Sequence, residues 1–342
     1  MMSHLLIRPA ARRSLTHIRH IRPVPPTAAT GLAAAVYEEV ERDFGMLAPP
    51  IALHAPQPPL LAAAWTLLRE TLLATGELPR AHKEAIATAV SQANSCPYCI
   101  HVHTSALDAL TPNTLNNEAH HLAAWATHPP DKRPTTPPTP QQLPEALGVA
   151  TTFHYLNRMV NVFLGPAALP DRIPPTARRT VTRLFTRALR KTTHTHHEPG
   201  RSLDLLSPAP LPPDLHWATN TPTIAAAFAR ATATITTAAE HTIPTTIRTL
   251  LETHLTDWDG APKPLDLTWL NTALEPLPPH DRPTARLVLL TAYASYRIDD
   301  TVITPLRDNG TTDNDLLTIT AWSALTTARH TATHLVPPPT NP

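Results

Sequence analysis

Both cysteines of this 342-residue chain fall in SCPYCIHVH, residues 95 to 103. A Cys-x-x-Cys can react as a dithiol, ligate a metal or pack as two inert thiols. Residues three apart on a helix lie about 5 Å apart at Cα, inside the disulfide window, so Cys96 and Cys99 can close and reopen. Pro97 costs nothing at a helix start, where no intrahelical partner awaits its missing N–H, and Cys99 then stands in the first turn. A helix N-terminus favours an anion by up to ~2 kcal/mol, which draws a thiol from its ordinary ~8.5 toward neutrality. His103, four residues beyond Cys99 and seven beyond Cys96, shares their helical face, whereas His101 points the opposite way. Its imidazole can take the Cys99 proton if a carboxylate orients it. Glu84, twelve positions before Cys96 in KEAIATAVSQAN, is the candidate carboxylate, with a solvated Glu as the plain alternative.

Three other readings of the segment compete. Cys96, Cys99, His101 and His103 can be written as Cys2His2 zinc, but structural zinc takes ligand pairs from separate segments, and four ligands within eight helical residues cannot surround one tetrahedral ion. CPYC is also the glutaredoxin tetrapeptide, where it follows a strand in a βαβ unit; no such strand is readable here. Two buried packing cysteines are the bland reading.

The elements that must carry these residues read as helices. Leu, Ala, Ile and Val recur at three-four spacing, strand alternation is scarce, and the class is all-α. An amphipathic helix is expected over 59 to 75 (PLLAAAWTLLRETLLAT), a second over 78 to 94, and a third from Cys96-Pro97 to about 110. Residues 223 to 255 repeat the plan found from residue 60, and 286 to 303 align without a gap on 84 to 101. Two copies of one helical unit follow, with Arg286 opposite Glu84 and Ile298 and Thr301 opposite the cysteines, so the chemistry belongs to the first. Phe153, Leu156, Val160 and Phe163 mark the core stripe of another helix, on which Asn157 and Arg158 can line a pocket or an oligomer contact. Tyr37, Glu38 and Glu39, like Trp65, Arg69 and Glu70, read as core packing beside a solvated face. THTHH at 193 to 197 reads as an exposed loop.

Composition narrows the partners. Twenty-eight Lys and Arg against 27 Asp and Glu leave no field for nucleic acid or an anionic membrane. Only 8 glycines occur, and none form a phosphate-binding pattern. The 41 prolines gather in stretches such as 129 to 140 and 207 to 213, which read as stiff connectors. No apolar run approaches the ~20 residues of a membrane span, and the start lacks an export signal, so a cytoplasmic, reducing compartment is expected. Five segments follow: a flexible basic tail (1–34), a first unit with the dithiol (35–190), a Pro-rich linker (191–222), a degenerate second unit (223–335) and a disordered tail (336–342).

Glu84, eleven intervening residues, Cys96-x-x-Cys99, three intervening residues and His103 together resemble the signature of the AhpD-like alkylhydroperoxidases, in the carboxymuconolactone decarboxylase superfamily. The likeness extends over most of residues 35 to 335. It implies an all-α fold, Cys99 as the peroxide-attacking thiolate, Cys96 as proton donor and resolving thiol, and Glu84 with His103 as proton relay. It implies a hydroperoxide substrate, an external dithiol of lipoyl or thioredoxin type as reductant, no organic cofactor or metal, and a homo-oligomer, with a trimer as one form. One position departs: the best-known members carry histidine between the cysteines, and here it is Tyr98, whose phenol cannot shuttle protons at neutral pH as imidazole does. The family's decarboxylases do not need the Cys-x-x-Cys, so its presence argues for the thiol branch. A redox-silent helical scaffold is the reading from another class.

Overall fold

The structure, a computed structural model, describes residues 14–111, 116–128, 132–165 and 195–336. Every regular element among them is a helix, with one isolated β-bridge between Ile18 and Leu164. The first half runs α1 (Gly31–Asp43), the single turn α2 (Pro49–Ala52), α3 (Pro58–Leu68), α4 (Arg80–Ala93), α5 (Pro97–Leu110), α6 (Asn117–Thr127) and α7 (Leu143–Phe163). The second runs α8 (Pro222–Thr242), α9 (Thr245–Thr256), α10 (Thr268–Leu274), α11 (Arg282–Ala294), α12 (Asp300–Asp308) and α13 (Asp313–Thr333).

Proline sets several of these starts, since it occupies the first turn of α2, α3, α5, α7, α8 and α11, where no N–H is missed. Asn116 caps α6 through Ala119 N, and Thr312 with Asp315 closes a capping box on α13. The two halves share one continuous apolar core. Within it α13 lies along α7 and α8 along α3, while α4 packs on α5, α6 and α7. Residues 282–308 follow the same order as 80–110: helix, short break, helix.

The helix expected over 59 to 75 is neither amphipathic nor uniform. Leu60 to Leu68 are buried on every side, and at Arg69–Leu73 the helix widens into a π turn closed by Ala74 N to Arg69 O at 2.8 Å. Arg69 and Glu70, expected on a solvated face, are 1% and 2% exposed. Their burial is possible because each satisfies the other, at 2.6 Å, and because Arg69 Nε also reaches Asp43 Oδ2 at 2.8 Å. Glu70 further accepts from Gly200 N at 2.6 Å and from the Ser202 hydroxyl at 2.7 Å. The described part of the expected linker is thereby seated on the π turn.

The expected tail also packs, over its described part from residue 14. Leu15, Ile18 and Ile21 are buried, Arg19 N bonds Phe163 O at 2.9 Å, and Arg19 Nε bonds Val162 O at 3.0 Å. The last carbonyls of a helix lack intrahelical donors, and Arg19 supplies them for α7. Residues 1–13, 191–194 and 337–342 lie outside the described residues, and with them most of the expected end tail and the first two residues of THTHH.

A second buried ion pair fixes the entry to α4. Lys83 Nζ reaches Glu145 Oε2 and Ala74 O, each at 2.9 Å, and Glu145 accepts from Glu77 N at 2.7 Å and Leu78 N at 3.0 Å. A Cβ at Gly76 would overlap the Glu145 carboxylate. Gly76→Ala is therefore expected to cost about 1–3 kcal/mol by overpacking and by straining these bonds, read as a lower midpoint in urea with an unchanged slope.

Candidate active site

The turn between α4 and α5 sets the dithiol. Asn94 closes α4, Ser95 takes a left-handed conformation (φ 50°), and the chain doubles back so that Cys96 N bonds Ser91 O at 3.0 Å. Pro97 then opens α5, with Cys99 in its first turn. Both sulfurs are buried, Cys96 at 0% and Cys99 at 3% exposure, and both are free thiols.

Burial pushes the Cys99 thiol well above its ordinary value, the adjacent Cys96 sulfur raises it further, and a hydrogen bond from Asn157 opposes them. Burial thus opposes the pull toward neutrality anticipated from the helix N-terminus. The terminal dipole offers at most ~2 kcal/mol, and desolvation of a fully buried anion exceeds that.

Glu84 and His103 meet. His103 Nδ1 lies 2.7 Å from Glu84 Oε2, while Arg80 Nη2 sits 2.7 Å from the other oxygen. Burial alone would raise the Glu84 pKa; Arg80 and His103 outweigh it and hold the carboxyl below its usual range. With Nδ1 committed to Glu84, His103 keeps Nε2 for exchange, and its ring is held edge-on to Phe153 at 4.5 Å. His101 is exposed, so the Cys2His2 arrangement is not assembled. Among the described residues no three His, Cys, Asp or Glu side chains group as a metal cluster. Tyr98 is buried, and burial raises its phenol further above neutrality, so it is no proton shuttle.

The wall behind the sulfurs comes from α7: Asn157 and Arg158, expected to line a pocket or an oligomer contact, lie in it, and His154 and Asn161, which sequence reasoning did not single out, join them. Nearly the whole helix is buried, so its polar residues must pair inside. Asn157 Nδ2 donates to Ser91 Oγ at 3.1 Å, and its Oδ1 accepts from Asn94 Nδ2 at 3.1 Å. Arg158 donates to Asn94 Oδ1 at 3.2 Å, to His154 O at 2.7 Å and to Ala292 O at 3.1 Å. Burial lowers it to about 10 and, with Arg158 beside it, takes His154 to about 3. Asn161 joins Asn94 O to Ser295 Oγ, each at 3.0 Å. Part of the signal was in the sequence: apolar residues recur on more than one face of this 21-residue helix, and polar residues on a helix enclosed all round face inward.

Two clefts lie elsewhere. One of about 620 Å³ is lined by His20, Arg22, Arg307 and Asp313, another of about 460 Å³ by Glu70, Lys83 and Glu145; neither reaches the cysteines. No helix among the described residues is long and apolar enough to cross a membrane.

Comparison with known proteins points the same way. Residues 59–127, from α3 through α6 and including Glu84, both cysteines and His103, match the carboxymuconolactone decarboxylase family. The chain is 36% identical over 331 residues, 92% of its own length and 94% of the relative's, to a Mycobacterium tuberculosis protein named alkyl hydroperoxide reductase Rv2159c. No solved structure matches it.

Proposed function

The chain belongs to the carboxymuconolactone decarboxylase family, as an AhpD-like member, and from that premise we propose that it reduces organic hydroperoxides with the Cys96/Cys99 dithiol. The observation that carries the reading is the buried Glu84–His103 pair, 2.7 Å apart, one turn along α5 from Cys99. A thiol that rests protonated needs a base within its own closed site, and an imidazole braced by a charged carboxylate supplies one.

In the proposed cycle His103 takes the Cys99 proton and Glu84 stabilises the resulting imidazolium. The thiolate attacks the terminal peroxide oxygen: an S–O bond forms, O–O breaks, and the alkoxide leaves as alcohol with a proton delivered through the relay or by Cys96. Cys96 then attacks the Cys99 sulfenic acid and expels water. The sum is one hydroperoxide and two thiols giving alcohol, water and a disulfide. An external dithiol, lipoyl-type or thioredoxin-like, restores the thiols by exchange. Asn157 favours the charged sulfur through its hydrogen bond. Assembly as a homo-oligomer belongs to the same proposal.

The test treats reduced protein with one equivalent of an organic hydroperoxide and maps the products by mass spectrometry. Wild type is expected to give a 96–99 disulfide, and Cys96→Ser a sulfenic-acid adduct at Cys99. The redox-silent scaffold draws on the burial of both thiols, and for it neither product forms.

A further inference from the structure

In the second half of the chain, three lone-pair donors meet without a side-chain anion between them. His330 in the last turn of α13 and His334 capping its end stand four residues apart in His-Thr-Ala-Thr-His, and the main-chain oxygen of Trp258, just past α9, faces both. His330 Nε2 to Trp258 O, His334 Nε2 to Trp258 O and His330 Nε2 to His334 Nε2 are each 3.1 Å. The three atoms form an equilateral triangle.

Protons satisfy that triangle poorly. If both Nε2 atoms carry hydrogen, two N–H groups converge on one oxygen while crowding each other. With hydrogen on one alone, the other nitrogen's lone pair faces the carbonyl's. A cation satisfies all three at once. Dividing the 3.1 Å edge by √2 puts an ion with mutually perpendicular bonds about 2.2 Å from each donor, close to first-row metal–ligand lengths of about 2.0–2.2 Å.

The surroundings hold the donors still. Two histidines at i and i+4 share one helical face, the spacing by which a helix presents two imidazoles to one zinc. The Trp258 indole stacks on His330 at 6.1 Å and sits edge-on to Tyr293 at 4.9 Å, and its Nε1 donates to Ala261 O at 2.7 Å, fixing the turn that aims its carbonyl. Both histidines are only partly buried, which leaves room for water on the remaining positions.

We propose that His330 Nε2, His334 Nε2 and the Trp258 carbonyl bind one divalent first-row cation of the imidazole-preferring group (zinc, nickel, cobalt, copper), clipping the turn after α9 to α13. The class follows from the donors: two imidazoles and a neutral carbonyl suit these ions and not magnesium or calcium, which take all-oxygen shells. This site is independent of the dithiol.

The test uses full-length Cys96→Ser/Cys99→Ser protein, which removes competing thiolates. Zinc is titrated calorimetrically, and melting temperature is read with and without it. The expected result is one equivalent bound to this parent, with a higher Tm, and an affinity at least tenfold lower in both His334→Ala and the size-matched His334→Gln. His101→Ala, an exposed control, binds like the parent. The chain has 20 histidines, so equal binding by parent and His334 variants would assign the zinc to others and overturn the proposal, as would absence of stoichiometric binding in the parent.

Discussion

Glu84→Gln is expected to reduce organic hydroperoxide about 10²–10⁴ times more slowly than wild type while remaining folded, the range for a disabled, positioned acid–base pair. The glutamine matches the carboxylate in shape and still bonds the imidazole, so packing around the buried position changes little. What it lacks is charge. Glu84 is held ionised by Arg80 at 2.7 Å and faces His103 at 2.7 Å, and a neutral amide cannot stabilise the imidazolium that the proposed cycle requires when Cys99 loses its proton. The measurement is kcat/KM for cumene hydroperoxide at saturating dithiol, with helix content checked by circular dichroism. Activity within twofold of wild type would remove the pair from the chemistry.

Arg69→Met is expected to lose about 3–5 kcal/mol of stability, the cost of stranding buried charge by deleting one partner. Arg69 is 1% exposed and joins Asp43, Glu70 and the carbonyl of Glu198. Methionine fills the volume and satisfies none of them. Glu70 keeps its bonds to Gly200 and Ser202, and Asp43 keeps Arg42 at 2.7 Å, which holds the loss to that range. Chemical denaturation reads it as a shifted midpoint. Burial raises the Asp43 pKa, but its bonds to Arg42 and Arg69 prevail and lower it. Its stabilising share is therefore complete above the unfolded carboxyl pKa of ~3.9, vanishes as pH falls through the lower folded value, and is smaller in the variant.

Local chemistry was the legible part of the sequence. Pro97 after Cys96 announces the start of α5, and the spacing of His103 fixes its face, because both are matters of one helix's geometry. Glu84 was readable as a candidate because only one carboxylate stands in a run of small residues. The π turn at Arg69–Leu73 was not, since a widened helix keeps the same composition. Arg69 and Glu70 look like any exposed pair until Asp43, Gly200 and Ser202 arrive from distant sequence. Asn157 and Arg158 were legible only as residues that line a pocket or an oligomer contact, and His154 was obscured by the apolar stripe of Phe153, Leu156, Val160 and Phe163: a stripe reports one face of a helix, and α7 is enclosed on all of them. The tail misled for a related reason. Its arginines suggested a flexible basic segment, whereas over the described part Ile18 and Ile21 anchor it and Arg19 serves the end of α7.

With Cys99 only 3% exposed and Cys96 fully enclosed, how fast a reagent modifies these sulfurs measures how often the head of α5 parts from α7, multiplied by the reactivity of the opened form. Slow alkylation would then not by itself report a sluggish sulfur. Small oxidants, which need only a narrow opening, would be favoured over bulky electrophiles, and the enclosure of the two sulfurs would act as a size filter ahead of the chemistry.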